Sequence, residues 1–104
     1  MSANKIYSML GLATRARGLV SGEFAVDKAV KEGDAFLVIV AEDASKNTKK
    51  EFSDMCSYYG VPYYEYGTKD ELGHCMGKDE RASVAVTDGG FAKSIEKLLG
   101  GSEA

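Results

Sequence analysis

The sequence holds one proline, one histidine, two cysteines and no tryptophan in 104 residues. Cys56 and Cys75 are far apart and make no CxxC pair. Neither a metal site nor a redox motif has spacing in its favour, and reduced thiols at core positions of helices are the simpler reading. His74, between Gly73 and Cys75, has no catalytic neighbour in sequence and reads as structural or incidental. No nucleophile elbow, no metal-spaced set of ligands and no phosphate loop ending in Lys-Ser or Lys-Thr is present. Gly67-Thr68-Lys69-Asp70 matches in part a guanine-recognition motif, but the phosphate loop that should accompany it is missing. These absences argue against an enzyme, a metal site or a resident cofactor.

Long apolar runs are also lacking, so no segment approaches the length of a membrane span. In the N-terminal stretch MSANKIYSMLGLATRARG the basic residues follow the apolar part, the reverse of a secretory signal, so a cytoplasmic protein is expected. The net charge of −3 lacks the basic excess of a generic nucleic-acid binder. Arg15, Arg17, Lys28, Lys31, Lys46, Lys49 and Lys50 nevertheless lie in the first half. They are partly offset there by Glu23, Asp27, Glu32, Asp34, Glu42 and Asp43. Any anion site must be a local patch rather than a broad field.

What the chain does have is ordinary globular composition, 44% hydrophobic and 28% charged, at the length of one domain. Strand and helix patterns alternate throughout. The apolar spacing of Ile6, Met9, Leu10 and Ala13 predicts a helix over Asn4–Ala16, followed by a short strand near Leu19-Val20. A second helix spans Gly22–Glu32, and the uninterrupted apolar run Phe36–Ala41 predicts a strand buried on both faces. Phe52, Met55, Cys56 and Tyr59 set a third helix that starts after Ser45 and ends before Gly60. A strand over Val61–Tyr66 carries Pro62 near its start. Thr68-Lys69-Asp70-Glu71 reads as a capping box for a fourth helix stopped by Gly77, with Leu72, Cys75 and Met76 facing inward. Ala82–Thr87 is the fourth strand, and a fifth helix starts near Gly89-Gly90. This order implies an α/β fold, a three-layer α/β/α sandwich with a central four-stranded mixed sheet and about five helices. The single domain spans residues 1–104, with its compact part at about 4–99 and a frayed tail over 100–104.

The run SGEFAVDKAVKEGDAFLVIVAED, Ser21–Asp43, is the most informative. At 100° per residue, Ala25, Val26, Ala29 and Val30 form the buried stripe of the second helix, while Phe24, Lys28 and Lys31 fall together on the solvent side. An aromatic beside two lysines, after a glycine turn at a helix N-terminus, suits a phosphate-bearing or nucleic-acid ligand. A normally capped surface helix with a solvated face explains the same residues. Lys46, Lys49 and Lys50 oppose the dipole of the third helix and hint at an anionic partner, or they solubilise. Arg15 and Arg17 either cap the first helix or add peripheral contacts. The tyrosines Tyr58, Tyr59, Tyr63, Tyr64 and Tyr66 are a stacking platform, a partner surface or, more often, the cover of a sheet edge. Loops 18–22, 42–47 and 78–81 are chemically distinctive. Strand direction, which periodicity leaves open, decides whether the third reaches the end occupied by the others.

The stretches LGLATRARGLVSGE, FLVIVAEDASKNTKKEF, YYGVPYY, ELGHCMGK and RASVAVTDGGFAKSI occur in an order that resembles the ribosomal protein L-seven-Ae superfamily, which also holds the L-thirty-e proteins. Within it they are most similar to the short bacterial YlxQ-type branch. The resemblance spans about Asn4–Leu99. It implies an α/β/α sandwich that binds structured RNA, in many relatives a kink-turn, as part of ribosomal or other ribonucleoprotein particles in translation. No membrane partner, metal or cofactor is expected, on the absences of apolar runs and ligand spacing already described. Relatives clamp the bent RNA with the glycine turn opening the second helix, a lysine on that helix, and the loop before the last strand. Carried over by position these are Gly22, Lys28 and Lys78–Ala82. Ser21, Glu23, Phe24 and Lys31 beside them, with Arg81 and Lys78 closing the other side, complete the expected RNA-binding set. Arg15, Arg17, Lys46 and Lys49 would be peripheral contacts. The family's turn reads Gly-Thr-Asn-Glu, followed two residues later by Lys. Here Phe24 and Ala25 stand at the Asn and Glu positions that hydrogen-bond tandem G·A pairs in relatives, and neither side chain can make those bonds. The apolar loop of relatives is charged here, Lys78-Asp79-Glu80-Arg81. The phosphate-positioning parts thus persist while the base-reading parts are altered. The alternative is a protein-interaction module on the same fold, in which Phe24 and the tyrosines meet a protein.

Overall fold

The structure, a computed structural model, describes residues 2–100. Their order is α1 (Ser2–Arg15), β1 (Leu19–Ser21), α2 (Glu23–Lys31), β2 (Leu37–Val40), α3 (Lys46–Tyr59), β3 (Tyr63–Glu65), α4 (Lys69–Cys75), β4 (Ser83–Val86) and α5 (Gly89–Leu99). The sheet order is β1-β4-β2-β3. β2 and β3 run parallel, whereas β4 is antiparallel to both of its neighbours. α1 packs against α4 and α5, and α2 packs against α3, so the helices divide into two layers around the sheet. The mixed-sheet α/β/α sandwich with five helices among the described residues is the architecture the alternating pattern predicts.

The central strands β2 and β4 are buried along their whole length. Phe52, Ile6, Leu10, Leu72, Ile95, Val26 and Val30 reach them from the helices, each essentially inaccessible to water. The predicted stripes of α1 and α2 are the buried ones, with Met9 and Ala25 at their margins. That of α3 is buried at Phe52 and Cys56 with Met55 at its margin, but its last member, Tyr59, is exposed because α3 ends there beyond the core. The strands are shorter than their apolar runs, for local reasons. Val61 donates its N–H to Cys56 O and closes α3, and Pro62 has no N–H to give, so β3 begins at Tyr63. Ala82 O accepts from Ala41 N at 2.9 Å, and Thr87 N donates to Gly18 O at 2.8 Å. Pairing therefore continues past both ends of β4 without regular strand geometry.

The helix ends follow local chemistry. Ser45 Oγ accepts from Thr48 N and opens α3, and Gly60, at φ 72°, closes it in the left-handed region. Asp88 does for α5 what Ser45 does for α3, accepting from Phe91 N at 3.0 Å. The capping box expected at α4 is half formed. Thr68 Oγ1 accepts from Glu71 N at 3.1 Å. The Glu71 carboxylate turns instead to α1, where Tyr7 Oη donates to it at 2.7 Å. Of the expected frayed tail over 100–104, residues 101–104 lie outside the described residues, and Gly100 is not frayed, since its N–H bonds Glu96 O and caps α5. Tyr63, Tyr64 and Tyr66 cover the β3 edge as half-buried rings, whereas Tyr58 and Tyr59 stand exposed at the end of α3, edge to face at 4.9 Å.

Gly73, buried inside α4, is where the loop before β4 touches the helix. A Cβ there would lie 2.1 Å from Asp79 O, and Lys78 N donates to Gly73 O at 2.9 Å. Gly73→Ala should therefore dislodge the 78–80 backbone and lower stability by about 1–3 kcal/mol. An unchanged urea midpoint would show that this loop does not rest on α4.

Candidate nucleic-acid interface

The direction of β4 assembles the site. Ser21 pairs with Val84, Val40 with Ser83, and Val40 also with Glu65. The turn after β1, the loops after β2 and β3, and the loop before β4 therefore gather at one end of the sheet. Loop 78–82 reaches the Gly22 turn because β4 runs antiparallel to β2.

Gly22 has φ 98° and ψ 150°, a backbone conformation open to glycine and strained for any residue with a Cβ. Its N–H donates to Ser83 O and its carbonyl accepts from Val26 N, both at 3.0 Å. No side chain caps α2. Among the described residues, the amides of Glu23, Phe24 and Ala25 are left without an intrahelical or capping partner, which is the geometry that receives an anion. Glu23 suits the helix dipole there but adds a negative charge of its own.

Arg81 joins the loop to the turn. Its Nε donates to Ser21 Oγ at 3.1 Å, and its Nη1 donates to Asp79 O at 3.2 Å and Glu80 O at 3.1 Å. Half-buried, it acts first as a clamp and only with its remaining donors as a cation for a ligand. Ala82 fixes the loop to β2 through its carbonyl, and Lys78 is exposed beside the acidic pair Asp79-Glu80. Lys69 and Asp43, which sequence patterning does not single out, belong here too. Lys69 N donates to Asp43 Oδ1 at 2.9 Å, its carbonyl accepts from Arg81 N, and its Nζ lies 4.0 Å from Glu80. The only sequence signal for Lys69 is its place after the Thr68 cap.

The outer face of α2 is not the single patch its periodicity suggests. Phe24 is 83% exposed. Lys28 points to one flank, over a groove with Val20, Ala25, Ala29 and Phe36. Lys31 points to the other, beside Glu23, Phe24, Asp27 and Glu51. Lys28 lies 3.9 Å from Glu32 and Lys31 lies 3.2 Å from Asp27. Exposed pairs of this kind are weak, so Lys28 is readily released to a phosphate. Lys31, among three carboxylates, is poorly placed for one.

Lys46 opens α3 at the site's end of the sheet and is exposed. Lys49, one turn on, lies 3.8 Å from Glu65 and belongs to the β3 edge. Arg15 and Arg17 are at the opposite end, since Gly18 O receives Thr87 N. Four extended residues, about 13 Å, separate Gly18 from Gly22. Arg17 holds the left-handed position, φ 62°, that ends α1. Gly18 cannot exchange roles with it, because a Cβ at Gly18 would meet Asp88 Cβ at 2.8 Å.

A sequence model of the family described as ribosomal protein L7Ae/L30e/S12e/Gadd45 matches residues 4–96. The chain belongs to this family. It is 48% identical over 99 residues to the RNA-binding protein YlxQ of Bacillus subtilis (strain 168), covering 95% of this chain and 99% of that protein. A solved protein of unknown function from Bacillus halodurans C superposes with a TM-score of 0.89 at 43% identity, covering 91% of this chain and 96% of that one. The 15.5kD RNA binding protein of Giardia lamblia superposes with a TM-score of 0.82 at 21% identity, covering 98% and 88%, and so shares the fold. The L7Ae-type sandwich expected from the sequence is thus the observed one.

The two thiols and the hydroxyls of Tyr7 and Tyr63 are held protonated. Burial pushes the Cys56 and Cys75 thiols up to about 11. Burial, with the carboxylates of Glu71 and Glu65, raises the Tyr7 and Tyr63 hydroxyls as well. Among the described residues no His, Cys, Asp and Glu side chains group to hold a metal, and no helix is long and apolar enough to cross a membrane. The thiols give a direct test. From a reference value of 9.0, a rise to about 11 lowers the thiolate fraction at pH 8 about a hundredfold, so native alkylation should be slower than in urea by at least that factor. The neutral thiols' contribution to stability is complete below about pH 9 and is lost as the pH climbs through about 11. Equal alkylation rates in folded and unfolded protein would contradict this burial.

Proposed function

We propose that this protein is a non-enzymatic RNA-binding protein that grips structured, sharply bent RNA of the kink-turn kind in a ribosome-associated or other cytoplasmic ribonucleoprotein setting. One observation carries the reading. The uncapped start of α2 at Gly22 and loop 78–82 meet at one end of the sheet, joined by the Arg81–Ser21 hydrogen bond, and Lys28 follows about 9 Å along the same helix. Family membership and the printed name of the Bacillus subtilis relative support the same ligand class.

In this reading the free amides after Gly22 take a backbone phosphate, and Lys28 neutralises the next. Lys46 and Lys78 add charge at the same end. Phe24 packs on a sugar or stacks on a base. With Phe24 and Ala25 where relatives carry Asn and Glu, the protein selects bent backbone geometry more than base identity. A second reading, a protein-interaction module, draws on one observation: Phe24 stands 83% exposed in a groove it shares with Glu23, Asp27 and Glu51.

Titration against kink-turn, stem-loop and unstructured RNAs at two salt concentrations separates the two. Salt-sensitive binding, strongest to the kink-turn, is expected. Lys28→Ala should weaken every RNA alike and lower the salt slope by about one. No salt-sensitive binding to any of the three would leave the protein-interaction reading in its place.

A further inference from the structure

The Lys28 flank of α2 leads into a cavity of about 530 Å³, within the range of small-ligand sites. Its floor is apolar, made by Val20 of the edge strand and by Ala25 and Ala29 of the helix, and Phe36 closes one end. Phe36 is fixed by its backbone, with its N–H donating to Val86 O at 2.9 Å, yet its ring is left 52% exposed. The fold needs the backbone of residue 36, which any residue but proline supplies, and not an aromatic ring in water. Glu32, one turn on from Lys28 and 3.9 Å from its Nζ, and Asp34 line the cavity beyond Lys28, past the end of the helix.

We propose that this cavity is a nucleotide subsite, which receives the base of one unpaired residue of the bound RNA. The inference rests on the RNA-binding reading and deepens it. α2 is nine residues long and rises about 13 Å, so a strand anchored at Gly22 passes Lys28 midway and reaches Phe36 at the far end. The charges set the orientation. Lys28, the cation of the cavity nearer Gly22 along the helix, holds the phosphate, while the carboxylates of Glu32 and Asp34, which follow it toward Phe36, repel any phosphate further in. The base therefore enters first, stacks on Phe36, and offers its exocyclic amino group to the carboxylates, which accept from such donors. Adenine, cytosine and guanine carry that group, and uracil does not. The other groove of α2 sets Lys31 among Glu23, Asp27 and Glu51, with Asp27 at 3.2 Å, whereas Lys28 has the single, longer contact of 3.9 Å to Glu32.

The test uses whichever of the kink-turn and stem-loop RNAs binds more tightly, with 6-thioguanosine placed in turn at each unpaired position. Ultraviolet crosslinking to the wild-type protein should give an adduct at Phe36 or in the adjoining segment 33–36. Phe36→Leu keeps the apolar bulk and removes the aromatic face. It should weaken binding roughly tenfold with the salt slope unchanged, whereas Lys28→Ala lowers the slope. Wild-type affinity in Phe36→Leu, with adducts elsewhere, overturns the subsite and leaves RNA binding at Lys28 standing. Absence of any RNA binding by the wild-type protein overturns both.

Discussion

The antiparallel insertion of β4 between β1 and β2 is the constraint on which the candidate site depends. Both of its neighbours present their C-terminal ends to the start of β4, through Ser21↔Val84 and Val40↔Ser83. With β4 reversed, loop 78–82 would lie at the Arg17 end, and the Gly22 turn would face water alone. Arg81 then turns proximity into a joint, since its donors reach Ser21 on one side and the carbonyls of its own loop on the other. Gly73 allows the same loop to sit against α4 at a distance that no side chain would tolerate. The site is accordingly built on buried strand pairing, and the parts that face a ligand are short.

The protein carries a net charge of −3, and its cations are interleaved with carboxylates. Lys28, Lys31, Lys49 and Lys69 each lie within 4.0 Å of an acid. Such a surface does not attract nucleic acid over long distances. It favours a ligand whose shape brings phosphates to a few fixed donors, chiefly the amides after Gly22, which no side chain caps although Glu23 stands beside them. The proposed selectivity for a bent backbone rests on that scarcity. A ligand unable to place two phosphates at Gly22 and Lys28 together gains little from either.

Much of this was legible in the sequence. Apolar periodicity placed the elements, and Ser45, Thr68 and Gly60 marked their ends by chemistry that acts over three or four residues. Gly22 and Lys28 followed from family resemblance together with helix phase. What stayed hidden depends on non-local partners. The direction of β4 is set by neighbours far away in the chain, and with it the separation of Arg15 and Arg17 from the site. The split between Lys28 and Lys31 arises because β1 and α3 flank α2 on different sides, which a helical wheel does not contain. Glu71 left its capping box for Tyr7, 64 residues away. Arg17 in a left-handed conformation, which costs a non-glycine residue roughly 1–2 kcal/mol, follows from the packing of Gly18 on Asp88.

The central claim is that RNA sits on the end of the sheet where Gly22 and loop 78–82 converge and runs along α2 past Lys28. Backbone-amide chemical shifts recorded while a kink-turn RNA is titrated into the protein test it most directly. The account predicts the largest changes at the amides of Glu23, Phe24, Ala25 and Lys28 and along 78–82, with small ones at Arg15 and Arg17. Changes concentrated instead on Tyr58, Tyr59 and the β3 edge, or absent at saturating RNA, would contradict it.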